Sequence, residues 1–191
     1  MSVHDYLIEW ASERAASLLS SLGDRWLHVQ GVVERAHWVG RTFDGDDRVY
    51  LLAAAYLHDI GYAPSLRMTG FHPLDGALYV RSYGYERLAS LIAHHFAARF
   101  EAHLRGCDRL LQEFPRERSA VADALTYCDA TISPTGEQVS LKERAAEIRA
   151  RYGEHDVVVQ ALRLAMPSLA LTVGRIHQRL KRYGLINPSI D

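Results

Sequence analysis

The chain has 191 residues, 48% hydrophobic and 24% charged, with a formal net charge of -1, which suits one globular domain with a core of its own and argues against a broad nucleic-acid or membrane surface. Cys107 and Cys128 are not arranged as a metal-binding pair, so a reducing, cytoplasmic setting is expected. No basic-then-apolar leader is read at the N-terminus and no apolar run is read as long enough to span a bilayer, so neither secretion nor a membrane location is expected.

The first element, Tyr6 to Leu22, places Leu7, Trp10, Ala11, Leu18 and Leu22 near helical spacing and stops at Gly23, which predicts a packing helix with His4 exposed ahead of it. Asp24 can cap a second helix that carries Trp26, Leu27, Val29, Val32 and Val33 and closes at Gly40. At about 100° per residue, His28 and Arg35 share a face of that helix two turns apart, while His37 points to roughly the opposite side. Arg35 can reach a phosphate from that face or form a surface ion pair. Gly31 suggests close backbone packing beside His28.

Thr42 to Asp47 reads as a turn with a helix cap, and the helix that follows from about Arg48 delivers Leu51, Leu52, Ala55 and Tyr56 to the core. That helix ends in His58-Asp59, with Gly61 and Pro64 stopping it. An imidazole and a carboxylate at the end of an apolar helix cost free energy to bury unless a charged or hydrogen-bonding partner meets them, and a bound cation is such a partner. The loop from Ala63 to Gly70 has a tip suited to act as a lid. After it, His72-Pro73 predicts a helix with proline at the first position and His72 as its cap. Gly76, one turn on, removes bulk so that another helix can approach.

The helix Tyr85 to Phe96 carries His94-His95 near its end. Consecutive residues diverge by about 100°, and His94 is slightly favoured over His95 as the ligand. His103 lies in a polar segment and is expected to be solvated. Pro115 is read as the start of a helix that runs to Cys128-Asp129, before a Ser-Pro break. Ser140 to Glu143 forms a capping box for a helix ending at Gly153. A last long helix, about Asp156 to Tyr183, shows an apolar stripe from Val158 to Leu180 and contains Pro167. These C-terminal helices read as packing elements or as a homodimer surface. Arg144, Arg149 and Arg151 form a basic cluster that either faces phosphate or is solvated. Neither His155 nor His177 is assigned a role. A glycine-rich phosphate loop, a Gly-x-Ser-x-Gly elbow and solenoid repeats are not found.

The ordered series His28, His58-Asp59, His72, His94-His95 and Asp129 resembles the HD-domain superfamily of metal-dependent phosphohydrolases, from about Trp26 to about Pro134. The resemblance implies an all-α, single-domain helical bundle over 1–191, with a ligand-bearing core of about 24–134 and C-terminal packing helices of about 135–191. It implies one or two divalent transition metals (iron, manganese, zinc or nickel), one on His28, His58, Asp59 and Asp129. Asp59 then bridges to a second metal on His72 and His94 or His95. His58 and Asp59 become the catalytic pair, with Arg35 and Tyr62 towards a small phosphate substrate, probable class a nucleotide. Tyr62 stands where cyclic-dinucleotide phosphodiesterases often have lysine and where one nucleotidase group has glutamate, and Gly-Tyr-Pro is missing after His95, which counts against both assignments. Two other classes remain open. One is a di-iron oxygenase that uses much the same ligands, with Tyr62 near iron. The other is a nucleotide-binding protein without turnover.

Overall fold

The computed structural model describes residues 3–186, with side chains from Tyr6 onward, so the side chain of His4 lies outside the described residues. Among the described residues there are ten α-helices and no strand. They are α1 (Val3–Leu19), α2 (Asp24–Gly40), α3 (Gly45–Leu57), α4 (His72–Arg81), α5 (Glu86–Ala93), α6 (Ala98–Arg105), α7 (Asp108–Gln112), α8 (Ala120–Ala130), α9 (Leu141–Tyr152) and α10 (Val157–Arg182), with short 3-10 turns at Ile60–Tyr62 and Pro64–Leu66. The all-α bundle is therefore as the sequence predicts.

The centre of the bundle is α3. A helix that is apolar on every side has no face to give to water and must be enclosed, and α3 is packed by α1, α2, α5 and α8. Ala53, Ala54 and Ala55 are fully buried; their small side chains let neighbouring backbones come close, so His58 and Asp59 at its C-terminal end are carried into the interior. The main core continues through α1, α2, α4, α5 and α8. A second, smaller core joins α6, α9 and α10 through Ala97, Ile148, Val159, Leu162 and Leu169.

Several boundaries differ from expectation for local reasons. Gly23, with φ of 54°, precedes α2 and Asp24 makes no capping hydrogen bond; it lies in the first turn, where a carboxylate complements the helix dipole. Helix α8 begins after Ser119, whose hydroxyl accepts from the Ala122 amide at 3.2 Å, rather than at Pro115. Residues 115–118 stay irregular, and Arg87 holds Glu117 there through two hydrogen bonds of 2.9 and 2.8 Å. The polar stretch around His103 forms α6, closed by Gly106 in the left-handed conformation, and His103 itself is exposed beside Asp108. The capping box of Ser140 and Glu143 is present.

The expectation that no apolar run reaches membrane length does not hold. Helix α10 spans 26 residues, with a window of mean hydropathy 1.5, long and apolar enough by length and composition. It is apolar on several sides because it faces α6, α8 and α9 at once and also leaves Leu164 and Leu171 exposed.

Candidate metal centre

Each ligand candidate is positioned by a different local device. His28 sits in the first turns of α2, where Gly31 lets the 132–138 turn approach: a Cβ on Gly31 would lie 2.5 Å from the Gly136 carbonyl oxygen. That approach brings the Ser133 carbonyl to the ring, where it accepts from His28 Nδ1 at 3.0 Å. His58 caps α3 and donates from Nδ1 to the Ala55 carbonyl at 2.9 Å. His95 lies just past α5 and donates from Nδ1 to the Ile92 carbonyl at 2.6 Å.

A carbonyl only accepts, so all three Nδ1 atoms carry the proton and all three Nε2 lone pairs are left free, which is how metal-binding histidines are commonly oriented by their outer partners. His72 opens α4, and its segment is fixed by buried Asp75, which accepts from Thr69 N at 2.7 Å, Thr69 Oγ1 at 2.8 Å and Gly70 N at 3.2 Å. Gly61 and Gly76 let the 3-10 turn lie against α4; a Cβ on Gly61 would stand 2.0 Å from the His72 carbonyl oxygen. Asp129 ends the chain of ligands from the last turn of α8.

These side chains converge. His28, His58 and Asp129 form one group and Asp59, His72 and His95 another, each with its ligand atoms within 4.8 Å of one another. Asp59 lies between them. Its Oδ2 is 3.5 Å from His58 Nε2 and 4.0 Å from His28 Nε2, and its Oδ1 is 3.4 Å from His72 Nε2 and 3.9 Å from His95 Nε2. His95 Nε2 is also 3.9 Å from Asp129 Oδ2.

The donor set fits a cation. His28 Nε2 faces Asp129 Oδ1 at 3.1 Å, a contact between two acceptors that needs positive charge between them, and His72 Nε2 faces His95 Nε2 at 3.3 Å. His58 Nε2 is buried without any hydrogen-bond partner. Imidazole and carboxylate donors suit zinc, manganese, iron or nickel.

Electrostatics agree. Burial alone would push the Asp59 carboxyl up, but the Arg25 guanidinium, 2.5 Å away, with His58, His72 and His28, holds it well below the usual carboxylate range. Asp129 is likewise held down against burial by the adjoining His28 and by the other histidines around it. Burial presses His72 and His95 below the ordinary histidine value, so both favour the neutral, ligating form.

Two readings need correction. His94, favoured over His95 from sequence, points away from the cluster: its Nε2 donates to the Phe114 carbonyl at 2.7 Å and it lines a different cleft. Helix α5 ends at Ala93, and the backbone turns at His94 and again at Phe96, where φ is 50°, so the ring of His95 is the one that enters the centre. Arg35 shares a face with His28 but lies two turns farther along α2, where it hydrogen-bonds Gln138 at 2.6 Å and the Tyr127 hydroxyl and lines a separate cleft. His37 is exposed.

Tyr62 does line the cavity beside the cluster, stacked on His72 at 4.1 Å under the Arg25 guanidinium at 3.9 Å. Sequence reading missed Arg25, although it stands three residues before His28 on the same helix and so falls on the same face. The C-terminal helices do more than pack, since Arg144, Ile148, Arg151, Tyr152 and Val158 line the cavity. None of residues 63–70 lines it, so the loop expected to act as a lid does not border the cavity, whereas α9 and the start of α10 do. Arg149 is exposed, whereas Arg144 is buried with its Nε unpartnered.

The family model described as "HD domain" matches residues 25–133. No curated protein and no solved structure matches the chain.

Proposed function

Because the chain belongs to the HD-domain family, we propose that it is a metal-dependent phosphohydrolase acting on a phosphate ester or anhydride of a nucleotide. The observation that carries this reading is the pairing, on the walls of one cavity, of a histidine and aspartate ligand set with three guanidiniums, those of Arg25, Arg144 and Arg151. The ligand set calls for cations, and the guanidiniums, paired with Asp59 (Arg25) and with Glu147 (Arg144 and Arg151), keep further N–H donors for an anion.

His28, His58 and Asp129 would hold one divalent cation, His72 and His95 a second, and Asp59 would serve both. A cation bound there supplies Lewis acidity and a hydroxide nucleophile near neutral pH. The chain's own residues do the rest. The backbone carbonyls of Ala55, Ile92 and Ser133 keep three imidazoles in the ligating tautomer. The cavity is small, about 50 Å³, so a phosphoryl group would enter it while base and ribose extend past Arg151 and Tyr152. Arg144, whose Nε lacks a partner, and Arg25 orient the phosphoryl oxygens. Burial raises the Tyr62 phenol above its ordinary value, so this side chain donates a hydrogen bond and does not serve as a base. The free thiols of Cys107 and Cys128 support a reducing, cytoplasmic setting.

The test is elemental analysis of protein purified without chelators, followed by a screen of nucleotides and phosphomonoesters under air and under nitrogen. Phosphate release that requires metal and is indifferent to oxygen is expected. A product formed only with oxygen and iron, with no hydrolysis, would overturn the reading in favour of an oxygenase.

A further inference from the structure

A second cleft, far larger than the cavity that holds the metal ligands, lies beside it. It has a volume of about 830 Å³ and lies between the 115–119 segment, the start of α8 and the second half of α10, with His94 in its wall. Six arginines line it, Arg99, Arg116, Arg118, Arg175, Arg179 and Arg182, against two carboxylates, Glu117 and Asp123.

Both carboxylates are already engaged. Asp123 accepts from Arg175 at 2.7 and 2.8 Å, and Glu117 accepts from Arg87, which is outside the cleft lining. Arg179 is tied to Thr42 and lies over the Phe43 ring at 4.0 Å. That leaves Arg99, Arg116, Arg118 and Arg182 without a carboxylate partner among the described residues. Arg116 feels the crowding, since burial and then the like charges of Arg99 and Arg118 press its guanidinium below the ordinary value.

The arrangement is preorganised. The segment carrying Arg116 and Arg118 is fastened at Phe114 by His94, at Glu117 by Arg87, and at Ser119, which donates to Glu117 at 2.5 Å. Guanidiniums held close together by fixed backbone carry an unfavourable repulsion that a multivalent anion relieves, and little ordering is left to oppose its binding. The volume falls in the range of small-molecule sites, roughly 300–1,000 Å³, and Leu169, Leu171 and Ile176 add an apolar wall beside the charges.

We infer that this cleft is a second ligand site, separate from the metal centre, that binds a phosphate chain of two or more phosphates, as in a nucleoside triphosphate or an inorganic polyphosphate. The chain is gripped by Arg99, Arg116 and Arg118, and a base, where the ligand carries one, lies on the leucine wall. The inference does not depend on what the metal centre catalyses, because none of the gripping arginines lines that centre, although His95 and Phe96 border both cavities.

The test is calorimetric titration of inorganic tripolyphosphate and ATP, with adenosine as the uncharged control, into the wild-type protein, Arg116→Gln/Arg118→Gln, Arg99→Gln and Asp59→Ala. Wild type and Asp59→Ala should bind tripolyphosphate with the same affinity, the double variant at least tenfold more weakly, and Arg99→Gln in between. ATP binding tighter than tripolyphosphate identifies a nucleoside ligand, and equal binding an inorganic one. Adenosine should not bind. The arginines are exposed or half-buried, and circular dichroism verifies that the variants stay helical. Absence of binding to wild type, unchanged binding in the folded arginine variants, or binding that disappears in Asp59→Ala would each overturn the second site.

Discussion

His94 and His95 are consecutive residues at the border of two cavities of different composition; His95 lines both and His94 only the arginine-rich one. His95 is buried among carboxylates and imidazoles in a cavity of about 50 Å³, whereas His94 stands in the wall of an open, arginine-rich cleft of about 830 Å³. The first gathers imidazoles and carboxylates beside three guanidiniums, and the second gathers six guanidiniums against two carboxylates, which is why cations are proposed for one and an anion for the other. The difference arises at one point of the backbone, where α5 ends at Ala93 and Phe96 takes a φ of 50°. Both cavities also depend on segments late in the chain, the smaller one on α9 and the start of α10 and the larger one on the second half of α10.

The contrast is broken most severely at Asp59, the carboxylate between the two ligand groups. Asp59→Ala should strip most of the metal and lower turnover by about a hundredfold or more, since loss of an outer-shell partner alone costs roughly 10–100-fold; metal stoichiometry and phosphate release measure it. Full metal occupancy with wild-type activity in this variant would sink the centre as drawn.

The two histidines are compared next. His95→Ala should lose about half the metal and most activity, while His94→Ala should keep its metal and, with the Phe114 carbonyl released, alter only the arginine cleft. Metal content of both variants decides which ring is the ligand.

A smaller effect is expected from Gly61→Ala, whose Cβ would meet the His72 carbonyl oxygen. Overpacking against backbone costs about 1–3 kcal/mol, which in a chain of this size lowers Tm by about 2–12 °C. Thermal unfolding reads it, and an unchanged Tm would mean that α4 and the 3-10 turn are not held as closely as described.

The gentlest test uses pH on metal-free protein. His72 and His95 are held below the ordinary histidine value in the folded protein by burial, so the unfolded chain binds protons more tightly than the folded one does. Their contribution is full above about pH 6.5 and is lost as pH falls from there through the lowered folded values, with Asp59 and Asp129 adding to the loss at more acid pH. Tm should therefore fall between pH 7 and pH 5, and less so once metal is bound. A Tm that rises on acidification would contradict the buried, neutral imidazoles.

Helical periodicity, the Ala53–Ala55 run and the ordered histidines and aspartates were legible in the chain because each depends on neighbours within a few residues. The capping box at Ser140 and the limits of α10 were equally local, as was the opposition of His37 to His28, which follows from rotation about one helix axis. Local rules did not reach the choice of His95 over His94, since a helix end redirects consecutive side chains by an amount that only the packed backbone determines. They did not reach Arg25 or Arg144 either. Arg25 meets Asp59 34 residues away, and Arg144 enters the cavity only because α9 is packed against the bundle through its own small core. Arg35 failed for the complementary reason. Sharing a face with His28 specifies direction but not distance along the axis, and the tertiary structure spends that direction on Tyr127 and Gln138. Sequence by itself thus determined the elements and the chemical types at the site, while long-range packing decided which side chains share a cavity, because that depends on contacts between residues far apart in the chain.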